Sequence, residues 1–127
     1  MKKILIIDDE EDLTFFVKAN LELSGKFEVL IANSGKEGIR MAKRYNPDLI
    51  LLDIMMPGMD GFEVLKSLKK IDSTVAIPVV MLTAKDDDDS KIQAAGLYNE
   101  EYIVKPVRID ALKTKIEEVF KLRGLNE

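Results

Sequence analysis

Ile4-Leu5-Ile6-Ile7-Asp8-Asp9 and Leu49-Ile50-Leu51-Leu52-Asp53 share one pattern: four apolar residues, then a carboxylate. Val79-Val80-Met81-Leu82 is followed by Thr83, and Tyr102-Ile103-Val104 by Lys105-Pro106. Short, continuously apolar runs suit strands covered on both faces of a parallel sheet. In such a sheet, ligands bind outside the carboxyl ends of the strands, near the point where strand order reverses. The four run ends would gather three carboxylates, a hydroxyl and an ammonium group. That is a site for a hard cation and a phosphoryl group.

Amphipathic segments separate the runs. The patterning predicts strands near 3–7, 27–31, 48–52, 78–82 and 101–104, and helices near 10–24, 34–44, 62–70, 86–97 and 109–122. Five β-α units with short links read as one α/β domain, residues 1–127, with a parallel sheet. Pro47, Pro57, Pro78 and Pro106 all fall outside the predicted helices, where the missing N–H does no harm. The run Phe27-Glu28-Val29-Leu30-Ile31 carries a charge, and Glu101-Tyr102-Ile103-Val104 is short and follows Glu100. Both read as edge strands, which gives the order 2-1-3-4-5. Right-handed crossovers then place the first and last helices on one face and the other three on the opposite face. The switch point lies between strands 1 and 3, where Asp8, Asp9 and Asp53 sit.

The first helix is unusually apolar. Leu13, Phe16, Val17, Leu21 and Leu23, with Phe15 and Ala19, cover roughly two thirds of its circumference, against an ordinary stripe of a little over ~100°. A helix that packs on the sheet and also meets the last helix would need that width. The alternative is that Leu13 or Phe15 stays exposed for a partner.

Composition narrows the function classes. The chain has 127 residues, enough for one domain with a core, and is 46% hydrophobic and 33% charged. Without cysteine there are no disulfides, thiolate zinc sites or thiol nucleophiles; without histidine there are no His triads, His metal ligands or phosphohistidine relays. A net charge of −4 argues against a direct nucleic-acid surface, which needs a basic patch. No apolar run is long enough to span a bilayer, and Met1-Lys2-Lys3 leads straight into a strand rather than a signal peptide. The expected setting is cytoplasmic, away from membranes.

Each polar run end is weak evidence alone. Asp-Asp often forms a turn or a helix cap, and Asp12 could cap the first helix equally well. A nucleotide-binding strand would need a glycine-rich Lys-Ser/Thr loop, which is missing. The combination is stronger. Three crowded carboxylates would raise the pKa of at least one, and a divalent cation relieves the repulsion. All-oxygen ligands with a phosphate suit Mg²⁺. A carboxylate placed beside such an ion and Lys105 is a plausible nucleophile toward phosphorus, giving an acyl phosphate. The run Asp86-Asp87-Asp88-Asp89 reads as the solvated first turn of a helix, where negative charge suits the dipole. It lacks the glycine and terminal glutamate of an EF-hand.

The motifs Ile-Leu-Ile-Ile-Asp8-Asp9-Glu10, Leu-Leu-Asp53-Ile-Met-Met-Pro57-Gly-Met-Asp-Gly61, Met-Leu-Thr83-Ala84 and Tyr102-Ile-Val-Lys105-Pro106 occur in this order. Together they resemble the receiver domain of bacterial two-component response regulators, over essentially the whole chain. The resemblance implies a doubly wound, flavodoxin-like sheet with five helices. It implies that Asp53 accepts a phosphoryl group from a histidine kinase or histidine phosphotransfer protein. Asp8, Asp9, Asp53 and the Met55 carbonyl would hold Mg²⁺. Lys105, Thr83 and the Ala84 backbone would bind phosphoryl oxygens, and the Lys105–Pro106 peptide is expected to be cis. Thr83 and Tyr102 match the family's switch pair, while Met55 and Lys85 flank the site and govern water access. The chain departs from the family where the helix at 86–97 ends: Tyr98 stands in place of the usual glycine, and Gly96 comes two residues earlier. Either the helix ends early or Asn99 takes the left-handed conformation.

The expected function is a phosphorylation-dependent switch that catalyses only its own phosphorylation and dephosphorylation. Its output face would be the helix at 86–97, the fifth strand and the last helix, as a monomer or a phosphorylation-dependent dimer. With the last helix ending near Leu122, either a stand-alone receiver or one excised from a longer protein is expected. A small-molecule phosphotransferase or phosphatase would need a cap or longer loops. A binding module that keeps the fold without phosphorylation would usually lose a site residue.

Overall fold

In the computed structural model, which describes residues 1–84 and 101–124, the strands are β1 (Lys2–Ile7), β2 (Phe27–Ala32), β3 (Leu49–Asp53), β4 (Val79–Thr83) and β5 (Glu101–Val104). The helices are α1 (Glu11–Glu22), α2 (Gly35–Tyr45), α3 (Gly61–Lys70) and α4 (Ile109–Leu122). The helix expected at 86–97 lies outside the described residues, as do Lys85, the Asp86–Asp89 run, Gly96, Tyr98 and Asn99. The strands form one parallel sheet in the order β2-β1-β3-β4-β5, as the charge pattern of the runs predicts. β3 and β4 are buried along their whole length, whereas the edge strand β5 alternates, with Tyr102 and Val104 outward.

The two faces of the sheet carry separate cores. On one, Val17 and Leu21 of α1 meet Leu112, Ile116, Val119 and Phe120 of α4 over Ile4, Ile6, Leu49 and Leu51. On the other, Ala42 of α2 and Val64, Leu65 and Leu68 of α3 cover Leu5, Ile7, Ile50 and Leu52. Alternate residues of β1 and β3 thus feed opposite cores, as period-2 geometry requires, and the described helices divide as right-handed crossovers demand.

Helix boundaries have local causes. Ser34 accepts a hydrogen bond from the N–H of Glu37, and α2 stops at Asn46, whose φ of 47° is left-handed. Asp60 and Glu63 form a reciprocal capping box at the start of α3. α1 has no side-chain cap: it begins at Glu11 after Glu10, so Asp12 lies within its first turn rather than capping it.

The wide apolar face of α1 is not all core. Thr14, Val17 and Leu21 face the sheet at helical spacing, with Leu13 packed at the margin. Phe15, Phe16 and Leu23 are 72%, 45% and 81% exposed, and Ala19 is exposed as well. One helix over a flat sheet buries one stripe. α4 adds contact along only one flank, so the remaining apolar positions face outward.

Candidate functional site

The strand register sets the site. Ile7 pairs with Leu52, Asp53 with Leu82 and Thr83 with Val104, so the polar residues that end the runs emerge along one edge of the sheet. The carboxylates of Asp8, Asp9 and Asp53 each offer an oxygen within 4.8 Å of the others. Asp8 and Asp53 are buried, while Asp9 is exposed. Asp8 divides its oxygens between two tasks. Oδ1 accepts the N–H of Glu10 at 2.9 Å, which fixes the entry to α1. Oδ2 is buried and lacks a hydrogen-bond donor.

Lys105 reaches into this cluster from the end of β5. Its Nζ lies 2.6 Å from Glu10 Oε1, 3.1 Å from Asp8 Oδ2 and 3.3 Å from Asp53 Oδ1. The ammonium therefore stands at ion-pair distance from the buried Asp8 Oδ2. The Lys105–Pro106 peptide bond is cis, and the Lys105 N–H donates to the Thr83 carbonyl at 2.6 Å.

These contacts do not balance the buried negative charge. Burial, and then the charge of Asp8, push the Asp53 carboxyl from an ordinary 3.8 up to about 7, although Lys105 and the Met55 N–H act in the opposite direction. Burial likewise raises Asp8, against the Glu10 N–H and Lys105. For Lys105, burial alone would lower the pKa, but the carboxylates of Glu10, Asp8 and Asp53 outweigh it and raise it. A buried carboxylate oxygen that shares one ammonium with two other carboxylates, beside a carboxyl that burial pushes up to about 7, is the environment a divalent cation would relieve. The donor set therefore fits Mg²⁺, with all-oxygen ligands.

The remaining expected residues surround this cluster. Thr83 is fully buried, and its Oγ1 lacks a hydrogen-bond partner. Ala84 follows at the end of β4. Tyr102 is 51% exposed, so its ring lies outside the fold, and Met55 stands exposed in the loop after Asp53. Lys85 lies outside the described residues.

Three contributors were not visible in the spacing of the runs. Glu10 and Gly61 both stand within the receiver-like motifs, but the contact of Glu10 with Lys105 crosses 95 positions of sequence. Asn33, in the β2–α2 loop, donates its side-chain amide to the Asp8 carbonyl at 2.9 Å and so steadies the β1–α1 loop. Gly61 passes so close to β3 that a β-carbon would collide with the Asp53 carbonyl oxygen and the Ile54 Cα. Only glycine lets α3 start there.

A family model described as "Response regulator receiver domain" matches residues 4–117. The chain is 37% identical over 120 residues to the alkaline phosphatase synthesis transcriptional regulatory protein PhoP of Bacillus subtilis, covering 94% of this chain and 49% of PhoP. It is 37% identical over 119 residues to protein PilH of Pseudomonas aeruginosa, covering 94% of this chain and 98% of PilH. It thus spans about half the length of PhoP and nearly all of PilH. Among solved structures, a response regulator receiver domain protein of Clostridium thermocellum superposes with a TM-score of 0.87 at 35% identity, over 98% of both chains.

Proposed function

Since the chain belongs to the response regulator receiver domain family, whose members signal by phosphorylation, we propose that Asp53 is its phosphoacceptor and that Lys105, Thr83 and Ala84 hold the transferred group. The observation that carries this reading is the Asp53 carboxylate, buried at the end of β3 beside Asp8 and Asp9, with the Lys105 ammonium 3.3 Å away.

Mg²⁺, held by Asp8, Asp9, Asp53 and the Met55 carbonyl, would keep these carboxylates ionised and offset charge on the transferring oxygens. A carboxylate oxygen of Asp53 attacks the phosphorus of a phosphohistidine on a kinase or phosphotransfer protein. The new P–O bond forms as the P–N bond breaks, and its electron pair leaves with the imidazole. Lys105, already beside Asp53, meets a phosphoryl oxygen with its ammonium. Thr83 offers a hydroxyl that spends no hydrogen bond in the unmodified state. Autodephosphorylation returns Asp53 when water attacks phosphorus and the P–O bond to the carboxylate breaks. Met55, exposed beside the site, crowds the approach of that water.

A phosphoryl group shifts a two-state equilibrium only through contacts that differ between the states. Thr83 makes one such contact when its hydroxyl turns to the phosphate, and its movement opens space for the Tyr102 ring to turn in from the surface. The change then reaches β5 and α4, the described part of an output face that would bind a downstream protein or a second copy. No direct nucleic-acid or membrane contact is assigned to it; among the described residues, no helix is long and apolar enough to cross a membrane.

The test is acetyl phosphate with Mg²⁺, read by intact mass. One phosphoryl group is expected on the wild type and none on Asp53→Asn. Undiminished labelling of the variant would sink the assignment.

A further inference from the structure

Glu10 is built into the site but performs none of the tasks assigned above. Its backbone fixes its place: φ −81° and ψ 99° hold it extended before α1, and its N–H is spent on Asp8 Oδ1. Its side chain does not cap α1. The carboxylate instead turns to Lys105, with Oε1 at 2.6 Å from Nζ, closer than either Asp8 or Asp53 comes to the ammonium. The Glu10 side chain is 60% exposed and that of Lys105 only 18%, so the pair lies at the boundary between the buried cluster and solvent. A groove of about 470 Å³, lined by Glu10, Leu13, Lys105, Pro106 and Val107, opens at this boundary.

This arrangement has a consequence for phosphoryl transfer, and it rests on the reading of Asp53 and Lys105 given above. The ammonium that must meet the phosphoryl oxygens is held, in the unmodified chain, by a carboxylate facing the groove. We propose that Glu10 is a positioning residue for phosphoryl transfer: it tethers Lys105 at the mouth of the site, and an incoming phosphoryl group must take the ammonium from it. The same negative charge repels an anionic phosphodonor in the groove. A small donor has only its phosphoryl contacts to offset both effects. A protein donor can add surface contacts elsewhere. Glu10 thereby weights the chain against small phosphodonors.

Labelling kinetics across acetyl phosphate concentrations, at fixed Mg²⁺, test the proposal. Glu10→Gln keeps the shape of the side chain and a neutral acceptor but removes the charge that competes for Lys105. The half-saturating acetyl phosphate concentration should fall by roughly twofold to fivefold, the scale of a partly exposed ion pair. The maximal rate should change much less, because the acceptor and its immediate partners are untouched. Glu11→Gln removes an equal charge one residue away, on an exposed side chain with no described contact to Lys105, and should leave the half-saturation near the wild-type value. An unchanged or raised half-saturation in Glu10→Gln overturns the tether, and so does an equal fall in Glu11→Gln. A wild-type chain that takes no phosphoryl group overturns the assignment of Asp53 and the tether together. A labelled wild type with an indifferent Glu10→Gln overturns the tether alone.

Discussion

The two ends of the sheet differ in how they treat charge, and that difference identifies the site better than cavity size does. The amino-terminal end carries the larger hollow, a cleft of about 670 Å³ lined by residues that include Lys2, Lys26, Asp48, Glu117 and Phe120. Its charges are accounted for. Asp48 accepts the N–H of Lys3 at 2.7 Å and returns its own N–H to the Lys3 carbonyl at 2.8 Å. Lys2 stands 5.6 Å above the Phe120 ring, and Lys26 lies 4.0 Å from Glu117. The carboxyl end has the smaller groove, yet it buries two aspartates that must share the one Lys105 ammonium with Glu10, and it leaves the Thr83 hydroxyl without a hydrogen-bond partner. Leaving buried polar groups unpaired costs stability. Among the described residues, the buried side-chain atoms left without a hydrogen-bond partner both lie at the carboxyl end, which marks it as the end suited to a ligand.

The largest expected effect follows from this cost. The folded chain holds the Asp53 carboxyl at about 7 against an ordinary 3.8, so between these values the folded state keeps a proton that the unfolded state has lost. The stabilising contribution is full below about pH 4, is lost as pH rises through 7, and stays lost above. Asp8 adds a shift in the same direction. With divalent cations chelated, Asp53→Asn should therefore be more stable than wild type at pH 8, by on the order of 2–4 kcal/mol, and the advantage should shrink toward pH 4. Denaturant melts at both pH values measure it. Equal stability at pH 8 would mean that the carboxyl end carries no such cost.

The fold was largely legible, because the features that decide it are local. Four apolar runs ending in polar residues gave strand identity and polarity, and Glu28 with the short Glu101–Val104 run marked the edges. Asp8, Asp9, Asp53 and Lys105 converge for the same reason, since strand polarity carries their ends to one side. What escaped depends on side-chain direction across space. Counting apolar positions around α1 could not show that Phe15 and Phe16 face outward, because both flanks of a helix look alike until its neighbours are placed. The contact of Glu10 with Lys105 joins the β1–α1 loop to the β5–α4 loop, and neither loop has a periodicity to read. Asp12 has the chemistry of a cap, but the Glu10 N–H is taken by Asp8, and α1 starts at Glu11, two residues before the helix an Asp12 cap would open.

The proposed metal ligands sharpen the same contrast. Asp9 is exposed, so removing it should cost little in folding, but it takes one of three carboxylates from the cluster. Asp9→Ala should weaken Mg²⁺ binding by about tenfold or more, the scale on which site groups tune metal affinity, and slow acetyl phosphate labelling with it. A titration followed by amide shifts would show this. Equal affinity in wild type and variant would place the cation elsewhere.

The smallest effect belongs to the amino-terminal end, where the contrast predicts stability without function. Asp48 is half-buried, and its Oδ2 serves the Lys3 N–H near the start of β1. Asp48→Ala removes a charge-assisted acceptor and leaves a strand N–H to partly available water. The loss should be about 1 kcal/mol, and Asp48→Asn, which keeps an acceptor, should recover much of it. Lys3 lies in β1, the strand that leads to Asp8, so a disturbance here has a direct covalent route to the site. The four buried residues between them, Ile4 to Ile7, are clamped by pairing with both β2 and β3, which should stop it. Acetyl phosphate labelling and Mg²⁺ affinity of Asp48→Ala should therefore match the wild type once both are folded. A change in either would show that the two ends are coupled through β1, and that the paired charges of the amino-terminal end serve the site as well as the fold.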